Sequence, residues 1–523
     1  MSQEPRQHPR LFEPATLVTS ALMAALSAVI CMQIIGRIGI TPNTSIIGAL
    51  MAIIIGRVML KSFRSLDRQN LVQTAASGGG FAAANAGLLS VAIVFAMGRT
   101  DLVLPMLAGA AIGVILDVWL GYKMFDTPLF PAANPWPPGI ATARVLEAGD
   151  EGGHKAWRLV QGITVGAIGA YFKLPMAGIG IAFIANIFAI SALGVGLLIR
   201  GYSPQWFGLD LGKTYYPQGF MIGAGIVQLV QAVLMLLNRG KTVAEEGDAA
   251  AAGAVKLQLG GVDQRKEYAK HWLHFTLGAV ALALISGVWA QLGVAQLALW
   301  VIWAGFSAFI SSIIVGMCAM HSGWFPAFAV TVIFLLGGMA LGFPAVPLAF
   351  LTGYTASTGP IFADLGYDLK TGWLIRGKGK DVSYELQGRK QQFYAEVLGA
   401  AVGILVVLAF FQMHFDQNII PPISKVFAST IKAGANPNVA LHIMYAFLPG
   451  AILQFIGGPS RALGVLFATG LLINNPIYGI GLLGAVIVRL ATGTKWMEVR
   501  EAGLIAGDGL YGFVNSIIRT FFS

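Results

Sequence analysis

The stretch Asp364–Gly403, DLGYDLKTGWLIRGKGKDVSYELQGRKQQFYAEVLGAAVG, drives a dense run of charge straight into an apolar helix. Charged residues are only 11% of the chain, yet Asp364, Asp368, Lys370, Arg376, Lys378, Lys380, Asp381, Glu385, Arg389 and Lys390 gather here. Glu396 then follows among Val397, Leu398, Gly399 and Ala400. Counting a rise of about 1.5 Å per residue from Lys390 puts its carboxylate roughly 9 Å into a bilayer. A carboxylate at the centre of a membrane helix costs about 2.5 to 3.5 kcal/mol, so such a group usually faces a cavity or a partner.

The rest of the chain supplies that bilayer. With 56% hydrophobic residues and a mean hydropathy of +0.72, its apolar surface exceeds what aqueous cores can hide. Apolar runs of roughly 17 to 25 residues recur from end to end, which predicts an all-α polytopic membrane protein rather than a barrel. About 14 transmembrane helices are expected (range about 12 to 16), with re-entrant or broken segments and two related halves. Glycine, at 66 residues, serves close helix contact and helix breaks rather than disorder. The net charge of +10 lies on loops and orients the chain in the bilayer, so nucleic acid is not implied. Cys31 and Cys318 both sit in apolar runs and form no disulfide framework.

Spans are expected over Thr16–Gly36 and Asn43–Met59, with Arg6 and Arg10 before the first and Lys61, Arg64 and Arg68 after the second. Both basic groups belong in the cytoplasm, which places the amino terminus inside. In NLVQTAASGGGFAAANAGLLS from Asn70, the residues Ala75, Gly79, Ala83 and Gly87 recur every fourth position and form a flat ridge for another helix. Asp117, late in the next run, is expected to snorkel to the interface. Thr127–Asp150 is proline-rich up to Pro138 and helical after it, as a re-entrant, cavity-lining segment would be. Met176–Ile199 is a span weakened by Gly194 and Gly196, and the short pair around NNPIYG reads as a helical hairpin. A cytoplasmic linker, 239–270, divides a first transmembrane half, 1–238, from a second, 271–523. Spans near Phe343–Ser357 and Gln392–Phe411 leave Asp364 and the DLKTG loop on the cytoplasmic side. The halves echo one another: RQNLVQTAASGG from Arg68 parallels KQQFYAEVLGAA from Lys390, and LEAGD at Leu146 parallels LIAGD at Leu504.

These echoes select the candidate site residues. Glu396 either takes up a coupling proton or a substrate ammonium, or is held in an ion pair with a nearby arginine. Asp508, between two glycines, either joins opened backbone in holding a cation or caps a helix beginning at Leu510. Glu147, in the first-half counterpart, is a further carboxylate candidate, with cytoplasmic exposure as its alternative. Gln73, Asn134 and Tyr354 either bond a peptide-like substrate or satisfy broken-helix carbonyls. Cys318 and His321 are weak metal candidates beside Met317 and Met320, the ordinary role of such residues being packing. HExxH, GxSxG and the P-loop signature are all missing.

Four ordered motifs resemble those of the oligopeptide transporter superfamily: NLVQTAASGGG at Asn70, PPGIATARVLEAG at Pro137, DLKTG at Asp368–Gly372 and GLIAGDGLYG at Gly503. Asp368, Lys370, Gly372, Gly507 and Gly509 carry the resemblance in the second half. The endings look closer to the yellow stripe-like branch than to the fungal peptide branch, whose NPG and KIPPR are absent. Glu396 stands where the family usually has Gln. The resemblance implies a proton-coupled secondary transporter that imports oligopeptides or peptide-like metal chelates across the cytoplasmic membrane. Its expected partners are that substrate, protons and the lipid bilayer, with a homodimer as one assembly state and no tightly bound cofactor. It implies no enzyme; the competing classes are an intramembrane enzyme and a channel.

Overall fold

The computed structural model describes residues 7–38, 44–54, 65–151, 153–238, 264–323, 326–433, 437–458, 461 and 463–521. The end of the second expected span, the basic residues Lys61 and Arg64, and 239–263 of the linker lie outside them. Among the described residues there is no strand, and the architecture is helical throughout.

α1 (Pro14–Ile38) and α2 (Thr44–Ile54) precede a long helix in two parts, α3 (Leu66–Phe81) and α4 (Leu89–Ala96), joined by a π-helical segment over Ala82–Leu88. α5 (Val103–Met124) runs into the proline-rich loop, and the helix expected after it is α6 (Pro137–Glu151). The first half closes with α7 (Gly153–Tyr171), α8 (Met176–Ile184), α9 (Ile187–Phe207) and α10 (Tyr216–Asn238). The second half begins with α11 (Gln264–Ser286), which takes the last residues assigned to the linker into its first turns. α12 (Val294–Ser322), α13 (Ala327–Ala340), α14 (Ala345–Ala356), α15 (Pro360–Ile375) and α16 (Val382–Asp416) follow. The chain ends with α17 (Pro422–Ala433), α18 (Pro437–Gly457), α19 (Leu463–Leu472), α20 (Pro476–Thr492) and α21 (Arg500–Phe521). Among the described residues, six helical stretches are long and apolar enough to cross a membrane by length and composition: α1, α3 through α4, α5, α9, α12 and α16.

Several expectations are corrected here. Asp364 and the DLKTG segment are not a cytoplasmic loop: Pro360 opens α15, and that helix is buried from Pro360 to Trp373. Asp117 does not snorkel; it is fully buried and accepts from Ser312 Oγ (2.5 Å) and from the N–H groups of Gly359 and Phe362 (2.7 Å each). The weak point of Met176–Ile199 is at Ala185–Asn186 rather than at the glycines, which lie inside α9, where Gly194 meets Leu483 and Gly196 meets Gly470. The NNPIYG pair is no hairpin, because α19 packs on α9, α10 and α18 whereas α20 packs on α8 and α9. α14 and α15 likewise do not lie side by side, so the chain runs on through Ser357–Gly359 as an interrupted helix, with Gly359 at φ +97°.

Each break leaves helix ends whose backbone groups need partners, and side chains from other helices supply them. Asp508 on α21 accepts from Ala177 N (2.6 Å) at the start of α8, and Arg489 on α20 donates to the carbonyls of Ala182 (2.8 Å) and Ala185 (2.6 Å) at its end. Gln454 accepts from Gly464 N and Val465 N at the start of α19. Asn186 and Asn475 cap α9 and α20 locally.

Packing sorts the helices into two bundles that ignore the division into halves. One holds α1, α3–α5, α11, α12 and α14–α17; the other holds α7–α10 and α18–α21; α2, α6 and α13 lie between. The ridge on α3 is where the first bundle closes. A Cβ on Gly399 of α16 would strike the carbonyl of Ala75, and one on Gly403 would lie 2.5 Å from the Gly79 carbonyl. The two echoing segments, NLVQTAASGG and QQFYAEVLGAA, are thus packed on each other.

Candidate functional site

Asp364 and Asp368 lie one turn apart on α15, so their carboxyl groups share a face, which is turned to α2, α3 and α16. Glu396 on α16 meets them there. All three residues are fully buried, and one oxygen from each lies within 4.8 Å of the others. Three oxygens this close can hold a proton between them or gather round one small cation.

The surrounding donors satisfy only part of the cluster. Ser77 donates to Asp364 Oδ1 (2.7 Å), Ser45 to Asp368 Oδ1 (2.8 Å), Gln73 Nε2 to Asp368 Oδ1 (2.6 Å), and Thr44 more weakly to Asp364 Oδ1 (3.4 Å). Asp364 Oδ2, Asp368 Oδ2 and both oxygens of Glu396 have no hydrogen-bond partner among the described residues. Gly78 makes room for this: a Cβ there would lie 2.6 Å from Glu396 Cδ, so the carboxyl rests against bare backbone.

Among the described residues no cation neutralises the cluster. Lys370, two residues from Asp368, turns away to donate to the carbonyls of Ala132 (2.7 Å) and Asn134 (3.0 Å), fastening the proline-rich loop to α15. Arg376 forks onto Glu385 (2.8 and 3.1 Å), and Arg389 bridges Glu385 (2.7 Å) and Asp126 (2.8 Å). The arginine pairing considered for Glu396 is therefore made by Glu385, about three turns earlier on α16. Gln392 joins the two systems: its Oε1 accepts from Arg376 (2.8 Å) and its Nε2 donates to the Asp368 carbonyl (2.6 Å). Two ionised carboxylates 4.8 Å apart repel by about 3.5 kcal/mol at an effective dielectric of about 20. The three carboxylates therefore carry at most one net charge between them, the rest being neutralised by protons or by a cation.

Of the residues singled out from sequence, Glu396, Asp368 and Gln73 come together here. Asp508 stands apart, holding α8 rather than capping a helix at Leu510. Glu147 is half-buried on α6 outside the cluster. Asn134 is engaged through its carbonyl by Lys370 and through Nδ2 by Met320 Sδ (3.2 Å). Tyr354 is fully buried and donates to the Phe275 carbonyl (3.0 Å), so it braces a helix instead of lining a cavity. Gly372 gives space to Gln392 and Arg376, and Gly507 to the backbone of α7 near Ile163. Gly509 is buried in α21. Cys318 is buried, and the side chain of His321 lies outside the described residues. Asp364, Ser45 and Ser77 escaped the sequence reading; the clue was the Asp-x-x-x-Asp spacing directly after a Gly-Pro helix start.

The family model described as OPT oligopeptide transporter protein matches residues 14–237 and 212–519. No curated protein and no solved structure matches the chain.

Proposed function

Since the chain belongs to the OPT oligopeptide transporter family, we propose that this multi-pass transporter imports small oligopeptides or peptide-like metal chelates in symport with protons. The observation that carries the proton is Glu396: both carboxyl oxygens are buried without a partner among the described residues, beside Asp364 and Asp368. Loading one proton neutralises the remaining charge of the cluster and lets the α3–α15–α16 interface close. Releasing it to the other side restores a charge that the dry interior disfavours, which drives the interface apart. Gln73 and Ser45 hold the deprotonated oxygen of Asp368 in place throughout.

Alternating access in this reading moves the bundle of α7–α10 and α18–α21 against the bundle that holds the carboxylates. Because each half of the chain contributes to both bundles, the moving unit is not a half. The amino terminus faces the cytoplasm of a cell expressing the chain in its cytoplasmic membrane, by the placement of basic residues. The motif endings favour the yellow stripe-like branch, and hence metal chelates among the cargo. A homodimer is compatible with this scheme and is not required by it.

The test is uptake by purified protein in proteoliposomes. With an imposed gradient, acidic outside, short peptides or a metal chelate should accumulate above the external concentration, and a protonophore should abolish the accumulation. Accumulation that is indifferent to the protonophore would remove the proton from the scheme.

A further inference from the structure

A second site lies in the other bundle, away from the carboxylates. α7, α8, α20 and α21 leave a crevice of about 680 Å³ between them, walled by Val165, Met176, Phe183, Gly484, Val488 and Leu504. Its walls are almost wholly apolar, so water has no partners there. From Phe183 to Met176 the wall follows seven residues of helix, a depth of about 10 Å at 1.5 Å per residue. That is most of one leaflet's half of a hydrocarbon core roughly 30 Å thick.

The crevice opens sideways. Val165 and Val488 on its rim are exposed, and so are their helix neighbours Ile168 and Ile487, all apolar. At one end polarity returns. Arg500 donates through Nε to Gln161 Oε1 (3.1 Å) and through Nη1 to the carbonyl of Trp496, which aims the guanidinium and leaves Nη2 without a hydrogen bond to the described residues. Trp496 and Trp157 are exposed at this level, as tryptophans are where hydrocarbon meets headgroups. Lys495 adds a second exposed cation on the preceding turn, which also carries the exposed Glu498.

We infer that this crevice is a phospholipid site, taking one acyl chain between α7 and α20 and seating an anionic headgroup on Arg500. The apolar walls set the chain, the sideways opening admits it from the bilayer, and the oriented guanidinium matches a phosphate. A lipid there touches α8 and α20, members of two of the interrupted helices, and therefore sits against the bundle assigned to move.

Gly484 supplies a clean probe, since a Cβ there meets nothing within 4 Å and a larger side chain would enter the crevice without displacing a helix. Wild type, Gly484→Phe and Arg500→Gln are purified in mild detergent, checked for folding by thermal unfolding, and titrated with phosphatidylglycerol or phosphatidylcholine by native mass spectrometry. Wild type should retain one phospholipid and prefer the anionic one about tenfold, as one charge-assisted contact implies. Gly484→Phe should lose both lipids, while Arg500→Gln should keep one lipid and bind the two equally. Equal retention by wild type and Gly484→Phe would overturn the site, and equal binding of the two lipids by wild type would overturn the headgroup assignment. Displacement of the lipid by a transported peptide would also overturn it, and would make the crevice part of the substrate route.

Discussion

Replacing Glu396 with Gln keeps the size of the side chain and removes one ionisable group from a cluster whose oxygens lie within 4.8 Å of one another. At an effective dielectric of about 20, a second charge at that distance costs about 3.5 kcal/mol, which suppresses doubly ionised states roughly 300-fold. The parent protein thus keeps its carboxylates neutral or singly charged, and the amide disturbs little. Its NH2 group can donate to Asp364 Oδ2 or Asp368 Oδ2, both without a partner among the described residues of the parent. A hydrogen bond to a charged group contributes about 1.5 to 3 kcal/mol, so Glu396→Gln should be as stable as the parent or up to about 3 kcal/mol more stable. Gradient-driven accumulation should vanish, while exchange of labelled for unlabelled peptide across the membrane survives. Thermal unfolding in detergent reads the first outcome and proteoliposome uptake across a pH series reads the second. A variant that still accumulates peptide with an unchanged pH profile would refute the proton assignment. One destabilised by more than about 2 kcal/mol would refute the electrostatic reading of the cluster.

Gly399→Ala drives a methyl group into the Ala75 carbonyl and should cost about 1 to 3 kcal/mol in thermal unfolding, with Gly403→Ala behaving alike. Asp117→Ala strands the N–H groups of Gly359 and Phe362 at the break before α15 and should cost about 2 to 5 kcal/mol by the same measurement, of which Asp117→Asn recovers part. Burial first, and then the Arg376 charge, hold the His8 imidazole below its ordinary pKa, although Asp67 lies 3.6 Å away. The folded chain therefore binds fewer protons at His8 than the unfolded chain, so stability falls as pH drops below about 6.5 towards the depressed value and is flat above it. His8→Gln should remove that slope, as a comparison of melting temperatures at pH 5 and pH 7.5 would show.

Where an apolar run is unbroken the helix was legible: α1 falls on the expected span Thr16–Gly36, and the ridge of Ala75, Gly79 and Ala83 meets a helix as its spacing implies. α15 was not legible as an interior helix. In a membrane protein, charge reads as surface unless its partners are known, and the partners of Asp364 and Asp368 come from the far end of the chain, at Ser45, Gln73 and Ser77. Asp117 misled for the same reason, its partners being Ser312, Gly359 and Phe362. The helix breaks were half legible. Asn475-Pro476 carries a cap and a helix start that composition alone exposes, whereas Asn186 is an isolated polar residue in an apolar run whose role needs Arg489 beside it.

The burial of α15 also governs how the chain can be made. A segment carrying Asp364, Asp368 and Lys370 has no stable place in lipid as it leaves the ribosome, each such group costing about 2.5 to 3.5 kcal/mol at the centre of a lone helix. It enters only against α3 and α5, which were synthesised long before, and its polar face stays incomplete until α16 has followed it. Assembly in the translocation channel is therefore ordered by electrostatics rather than by hydropathy. Truncation before Val382 should leave α15 outside the membrane interior and the nascent protein exposed to quality-control proteolysis.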